Sequence, residues 1–137
     1  MVAVIINPIS GTGGRTDVVR QRIACATAEL ARHRIDGHVW VTERPGHARE
    51  LAQAAIQRDA PLVLAWGGDG TVNEVGSVLA FSNVTLAILP SGSGNGLSRE
   101  LEIPFDPEAA FRIALASGRD RLIDAGELDG RDRKSVV

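Results

Sequence analysis

Three short apolar runs in this chain are each followed directly by a glycine-rich segment. The runs cover residues 2–6, 62–66 and 85–89, and the segments after them cover residues 7–14, 67–71 and 91–96. Continuous apolar runs of this length are typical of strands that are buried on both faces of a parallel sheet. Glycine lets the backbone approach a ligand closely, and successive N–H groups before a helix favour phosphate. The pattern therefore predicts phosphate-binding loops along one edge of a sheet.

Segments with a helical period separate these runs. In residues 47–58, for example, apolar side chains recur at i, i+3, i+4, i+7 and i+8, which indicates an amphipathic helix. We predict helices over residues 16–33, 47–58, 71–80 and 106–118, and further strands over residues 37–41 and near residue 121. Alternating strands and helices are typical of the α/β class. The predicted fold is an open, mainly parallel sheet with helices on both faces, as in Rossmann-like nucleotide-binding domains.

Composition limits the classes of function that remain. The 137 residues suffice for about one domain, and a formal net charge of −2 argues against a nucleic-acid partner. No apolar run approaches the roughly 18 residues of a membrane-spanning helix. The N-terminus lacks the basic region and cleavage site of a signal peptide, so we predict a cytoplasmic protein. The single cysteine, Cys25, excludes an intramolecular disulfide and a cysteine-rich zinc site, and we expect a buried structural thiol.

Asp69 is the most informative polar residue, because it stands between glycines where a buried strand is predicted to end. Such a carboxylate could hold Mg²⁺ with a nucleotide or accept the proton of an attacking hydroxyl. The alternative is a turn-stabilising aspartate that accepts nearby backbone N–H groups. Thr71 and Glu74 have the spacing of a capping box; we interpret Glu74 as structural and leave both roles open for Thr71. None of the three segments is a Walker A motif or matches Gly-x-Gly-x-x-Gly.

Four segments of the chain resemble, in order and spacing, the catalytic domain of the diacylglycerol kinase and sphingosine kinase superfamily. They are Asn-Pro at 7–8 with its Ser-Gly-x-Gly-Gly turn, Thr-Glu-Arg-Pro-Gly-His-Ala at 42–48, Gly-Gly-Asp-Gly-Thr-Val-Asn-Glu at 67–74 and Leu-Pro-Ser-Gly-Ser-Gly-Asn at 89–95. Members of this family transfer a phosphoryl group from ATP to a lipid hydroxyl. The resemblance implies the nucleotide-binding fold of lipid kinases and NAD kinases, with ATP and Mg²⁺ as cofactors.

The resemblance also implies which residues form the site. Asp69 is the implied catalytic residue and a candidate Mg²⁺ ligand. In sphingosine kinase-like members this acid activates the hydroxyl, whereas in bacterial lipid kinases an acid of a second domain does so, and the identity of the base stays open. Gly96 departs from the aspartate of many bacterial members. The implied nucleotide contacts are Asn7, Pro8, Ser10, Gly11, Thr42, Gly67, Gly68, Gly70, Thr71, Asn73, Ser91, Gly92, Ser93, Gly94 and Asn95.

The charge on the phosphates must be neutralised with almost no lysine, since Lys134 is the only one in the chain. A phosphoryl-transfer site concentrates negative charge on the β- and γ-phosphates. Backbone N–H groups, Mg²⁺ and either Arg15 or Arg44 are the candidates that remain.

The domain boundaries follow from the same resemblance. Residues 1–131 would form the ATP-binding catalytic domain, and the second, β-rich domain of the family is absent from this sequence. Residues 132–137 coincide with one reading frame of a common sequencing adapter, so we interpret them as a non-native tail. We expect the nucleotide-binding half of a kinase for a diacylglycerol or sphingoid lipid at a membrane surface, with little activity alone. The alternatives are an NAD kinase-like small-molecule kinase and a non-catalytic nucleotide-binding module.

Overall fold

The computed structural model describes residues 1–8, 16–91 and 94–116, together with the backbone of residues 121–124 and 133–136. Strands and helices alternate along this part of the chain. In order they are β1 (Val2–Ile6), α1 (Thr16–Arg32), β2 (Gly37–Val41), α2 (His47–Gln57), β3 (Leu62–Gly67), α3 (Asp69–Leu79), β4 (Thr85–Pro90), α4 (Gly96–Glu100), α5 (Pro107–Leu115), β5 (Arg121–Asp124) and β6 (Arg133–Val136).

The strands form one open sheet in the order β2-β1-β3-β4-β6-β5. Neighbours from β2 to β6 run parallel, and β5 alone among the described strands runs antiparallel to its neighbour β6. Val4 of β1 lies opposite Val39 of β2 on one side and Leu64 of β3 on the other. The predicted open, mainly parallel α/β sheet is confirmed.

Helices cover both faces of this sheet. On one face α1 contacts α5, and on the other α2 contacts α3. The chain passes from β1 outward to β2 and then back across β1 to β3, so the order of the strands reverses between β1 and β3. In open α/β sheets, ligands bind beyond the carboxyl ends of the strands at this kind of switch point. The fold therefore predicts a ligand site at the segments that follow β1 and β3.

The core consists of the central strands and the inner faces of the helices. All five residues of β1 are buried, as are the last five of β3 and of β4, because the helices exclude water from both faces of these strands. At the carboxyl end of β3, the ring of Trp66 packs edge-on against Phe111 of α5, with 5.6 Å between the ring centres. Trp66 is 3% exposed and belongs to the core.

The helix ends differ in detail from the sequence prediction. α3 begins at Asp69, two residues earlier than predicted, because Gly68 already occupies the N-cap position. α5 begins as predicted: the Asp106 carboxylate accepts the Ala109 N–H at 3.1 Å, and a proline occupies the first turn. It ends before the predicted Gly118, because Ala116 adopts an extended conformation. The five-residue helix α4 was not predicted; it is too short to show a helical period.

Three further expectations have clear outcomes. The strand expected near residue 121 is β5. Cys25 is half-buried and packs against the core, so the expected buried thiol is covered only in part. Within the part of the chain that the structure describes, none of the helices is both long and apolar enough to cross a membrane.

Residues 133–136, from the segment interpreted as a non-native tail, form β6, with Val136 opposite Leu86 of β4; the origin of that segment stays a prediction.

Candidate functional site

A hydrogen bond spans the switch point of the sheet. The Asn7 side-chain amide, directly after β1, donates to the Thr71 hydroxyl in the first turn of α3, with 2.8 Å between Nδ2 and Oγ1. The Asn7 backbone N–H also donates to the Trp66 carbonyl at 3.0 Å. These contacts bring together the first and second of the three predicted glycine-rich segments. They also account for the polar character of two positions that border a buried sheet.

A cavity of about 640 Å³ opens beside this hydrogen bond. That volume lies within the range of small-molecule and cofactor sites, roughly 300–1,000 Å³. Among the residues that the structure describes, its lining consists of Asn7, Pro8, Thr42, Glu43, Arg44, Pro45, Gly70, Thr71 and Glu74. Five of these nine residues belong to the predicted nucleotide contacts, so the structure gathers sequence positions 7, 8, 42, 70 and 71 around one space.

Residues 42–45 form one wall of the cavity, and contacts of these residues and of the next two hold it on several sides. Gly46 adopts the left-handed conformation, with φ of 84°, and its N–H donates to Glu74 Oε1 of α3 at 2.8 Å. The Glu43 N–H donates to His47 Nδ1 at 2.9 Å. Arg44 pairs with Glu50 on the surface at 2.7 Å. The wall is therefore fixed mainly through the half-buried Glu74 rather than through the exposed ion pair, since surface pairs contribute little.

The amino end of α3 forms the floor beside this wall. Its N-cap is Gly68, which has no side chain to accept hydrogen bonds from the first-turn N–H groups. Amides at a helix N-terminus favour an anion, and the aligned peptide dipoles act in the same direction. Gly67 has a separate, structural reason to be glycine: a Cβ there would lie 2.5 Å from Thr71 Oγ1. Glycine thus lets the end of β3 approach the side chain that bonds Asn7.

Asp69 is exposed, and its carboxylate binds the third glycine-rich segment. Oδ2 accepts the Asn95 N–H at 3.1 Å, and Oδ1 accepts the Gly96 N–H at 2.9 Å. The buried strand β3 ends at Gly67, two residues before Asp69, as predicted, and the carboxylate itself is exposed at the start of α3. The alternative of an aspartate that stabilises backbone amides describes the observed contacts, although the amides belong to a distant segment and not to its own turn.

Residues 94–96 of the third segment lie against Asp69. Gly94 has φ of 89°, and a Cβ there would lie 3.0 Å from Asp69 Oδ2. Asn95, also left-handed with φ of 56°, is 1% exposed, and its side-chain amide donates to the Ser91 carbonyl at 3.0 Å. The Arg99 Nε donates to the Gly94 carbonyl at 2.7 Å. In this arrangement the predicted ligand residue Asn95 holds its own loop together.

The proposed capping box at Thr71 and Glu74 is wrong. Thr71 is the third residue of α3, so it cannot be the N-cap. Its hydroxyl accepts a hydrogen bond from the Asn7 side-chain amide. The Glu74 carboxylate accepts the Gly46 N–H and not an N–H at the start of α3. The sequence interpretation gave Glu74 a structural role only, yet Glu74 also lines the cavity; its place one turn after Thr71 on α3 was the available signal.

The remaining predicted contacts are distributed as follows. Asn73 is exposed on α3 and is not among the described residues that line the cavity. Ser91 lines a second cavity of about 470 Å³ on the α1 and α5 side of the sheet. Ser10, Gly11, Gly92, Ser93 and Arg15 lie outside the described residues. Across the described ranges, no cluster of three or more His, Cys, Asp or Glu side chains could hold a metal ion by itself.

Comparison with known proteins identifies the family of this chain. The model of the diacylglycerol kinase catalytic domain matches residues 1–128. Among curated proteins, a "Probable lipid kinase YegS-like" of Klebsiella pneumoniae is 38% identical over 99 residues, which are 71% of this chain and 33% of that protein. A diacylglycerol kinase of Mycobacterium tuberculosis is 33% identical over 129 residues, 93% of this chain and 40% of that protein.

A solved structure is similar as well. The crystal structure of a diacylglycerol kinase from Bacillus anthracis superposes with a TM-score of 0.75 at 29% identity, covering 90% of this chain and 41% of that one. The chain thus spans about a third to two fifths of the length of the relatives it matches. On the evidence of the matched domain and these relatives, the chain belongs to the diacylglycerol kinase catalytic-domain family.

Proposed function

We propose that this chain is the ATP-binding half of a lipid kinase that transfers the γ-phosphoryl group of ATP to a lipid hydroxyl. The observation that carries the proposal is the cavity of about 640 Å³ at the switch point, where the Asn7–Thr71 hydrogen bond joins two segments of the family motif. Membership of the diacylglycerol kinase catalytic-domain family supports the reaction class.

Each side of the cavity suits a different part of the nucleotide. The wall at residues 42–45 offers the apolar ring of Pro45 and the polar side chain of Thr42 to a base and ribose. The amino end of α3, at Gly70 and Thr71, offers backbone N–H groups to the phosphates. Arg44 lines the cavity and supplies a cation close to this region, although it also pairs with Glu50.

Mg²⁺ fits the residues that are present. Magnesium usually keeps several waters and binds one or two carboxylates together with substrate phosphates, so a cluster of protein ligands is not required. Asp69, exposed at the start of α3, would hold the ion alongside the phosphate oxygens. When bound, Mg²⁺ would neutralise charge on the phosphates that are being transferred.

The acceptor is a diacylglycerol or sphingoid lipid presented at a membrane surface, to which a cytoplasmic protein would bind peripherally. The chain spans about two fifths of its diacylglycerol kinase relatives, and positioning of the acceptor contributes much of the rate in phosphoryl transfer. We therefore expect this chain alone to bind MgATP weakly and to phosphorylate lipids poorly.

Radiolabelled ATP tests the proposal directly. A longer version with the downstream sequence and this chain by itself would each be incubated with γ-labelled ATP, Mg²⁺ and vesicles containing diacylglycerol or sphingosine, or with NAD in solution. We expect label in a lipid product from the longer version. Labelled NAD would instead support an NAD kinase-like enzyme, and MgATP binding without any product would support a non-catalytic module. Absence of MgATP binding in both proteins would refute all three functions.

A further inference from the structure

Arg22 of α1 reaches from the opposite face of the sheet to the base of the candidate site. Its guanidinium lies over the Trp66 ring, with 5.5 Å from Cζ to the ring centre. One of its amino groups donates to the Asn7 backbone carbonyl, with 3.2 Å between the nitrogen and the oxygen. The side chain is half-buried, and this burial lowers the pKa of the Arg22 guanidinium. A cation held in such surroundings requires specific contacts to offset its loss of hydration.

Arg22 contacts Asn7 directly, and it also contacts Trp66, whose backbone is bonded to Asn7. The Trp66 ring that lies under Arg22 is 3% exposed and is fixed by its packing on Phe111. The Trp66 carbonyl accepts the Asn7 N–H, while Arg22 binds the Asn7 carbonyl. The backbone of Asn7 is thus held at its N–H and at its C=O, and these two contacts fix the direction in which its side chain reaches Thr71.

From this geometry we propose that Arg22 is a positioning residue for the nucleotide, acting through Asn7 without touching the nucleotide itself. The inference rests on the proposed function, because it assumes that the cavity beside Asn7 and Thr71 holds ATP. Arg22 would set the orientation of the Asn7 side chain before the nucleotide arrives, so that less freedom is lost on binding. Its hydrogen bond to a carbonyl is charge-assisted and therefore stronger than a neutral one.

Lysine cannot reproduce this arrangement. A planar guanidinium stacks on an aromatic ring while its N–H groups point outward to an acceptor, whereas an ammonium group is a compact, strongly hydrated charge. Arg22→Lys therefore retains the charge but loses the simultaneous contacts with Trp66 and Asn7. Arg20 provides the matched control, because it is exposed on the same helix and carries the same charge.

The contact with Asn7 has a readout that needs no nucleotide. NMR spectra of this chain would give the exchange rate of the Asn7 backbone N–H and the chemical shifts of its side-chain amide in the unchanged protein, Arg22→Met, Arg22→Lys and Arg20→Met. The same spectra show whether each variant is folded. We expect faster exchange and displaced side-chain signals in both Arg22 variants only. Unchanged Asn7 signals in folded Arg22→Met would overturn the proposal.

Calorimetry with MgATP then tests the effect on the nucleotide. We expect both Arg22 variants to bind about tenfold more weakly, which corresponds to the loss of roughly one hydrogen bond. Arg20→Met should bind as the unchanged protein does. Full affinity in Arg22→Lys would overturn the proposal, since charge alone would then suffice. If neither this chain nor the longer version binds MgATP, the proposed function and the nucleotide role of Arg22 both fail, and the NMR result still decides whether Arg22 orients Asn7.

Discussion

The carboxylate of Asp69 accepts the backbone N–H of Gly96, with 2.9 Å between Oδ1 and the nitrogen. Its second oxygen, Oδ2, accepts the N–H of Asn95 at 3.1 Å. The acid at the start of α3 is therefore bonded to the start of α4, and it joins the second glycine-rich segment to the third. Asp69 thus holds this part of the site together.

Asp69→Asn should weaken both the site and the fold around it. Asparagine offers one oxygen instead of two, so its NH₂ group faces a backbone N–H and one amide loses its acceptor. We expect a loss of about 1 kcal/mol in the free energy of unfolding, measured with urea on this chain, because each net hydrogen bond contributes about that much. In the longer protein we expect lipid phosphorylation to be abolished. Glu100→Gln is the control, since Glu100 is exposed on α4 and loses the same charge. Retained turnover in Asp69→Asn would exclude an essential role.

Gly67→Ala should destabilise the chain, whereas Gly70→Ala should not. A Cβ at Gly67 would lie 2.5 Å from Thr71 Oγ1, so the end of β3 and α3 would have to move apart. Overpacking of this kind costs about 1–3 kcal/mol. A Cβ at Gly70 would meet no described atom within 4 Å, and alanine favours a helix over glycine by about 1 kcal/mol. Urea unfolding of the two variants measures the difference. Equal stabilities would contradict the close approach of Gly67 to Thr71.

Glu74→Ala should release the wall of the cavity, and Glu74→Gln should retain it. The Glu74 Oε1 accepts the Gly46 N–H at 2.8 Å, and glutamine has an oxygen at the same place. We expect Glu74→Ala to weaken MgATP binding about tenfold, by loss of one hydrogen bond, while Glu74→Gln stays within a few-fold of the unchanged protein. Calorimetry on this chain provides both values. If the two variants lose affinity equally, the charge of Glu74 matters and its bond to Gly46 does not.

Cys25 should react slowly with alkylating agents at neutral pH. Burial raises the pKa of the Cys25 thiol, and the negative charge of the nearby Glu29 acts in the same direction. The folded protein thus contains less thiolate at a given pH than the unfolded protein, and the thiolate is the reactive form. The stability associated with this group is present below the pKa of the unfolded thiol and is lost as the pH rises through that of the folded one.

The measurement for Cys25 is the rate of iodoacetamide labelling against pH, in buffer and in urea. We expect the midpoint of the folded protein to lie at higher pH than the midpoint in urea, where the same thiol is fully hydrated. A midpoint that is lower in buffer than in urea would contradict the burial of the Cys25 thiol beside Glu29.

Much of the site could be predicted from the sequence because its backbone is local. Buried strands followed by glycine-rich segments determine that residues 7–8 and 67–71 emerge at the carboxyl edge of one parallel sheet, and the structure confirms this placement. The start of α5 after Asp106 was also predicted, because an N-cap aspartate followed by proline is a local signal. Periodicity and turn chemistry act over a few residues, and a single sequence records them.

Only the tertiary structure decided which side chains meet across the sheet. Glu74 binds Gly46, Asp69 binds Asn95 and Gly96, and Arg22 reaches Asn7 from another helix. These pairs are separated by 15 to 28 positions along the chain, and no local pattern encodes them. They form because the parallel strands end, and the helices after them begin, at a common edge, where each side chain finds its partner by proximity in space. The sequence determined which residues stand at that edge, and the packing of the layers determined what each of them binds.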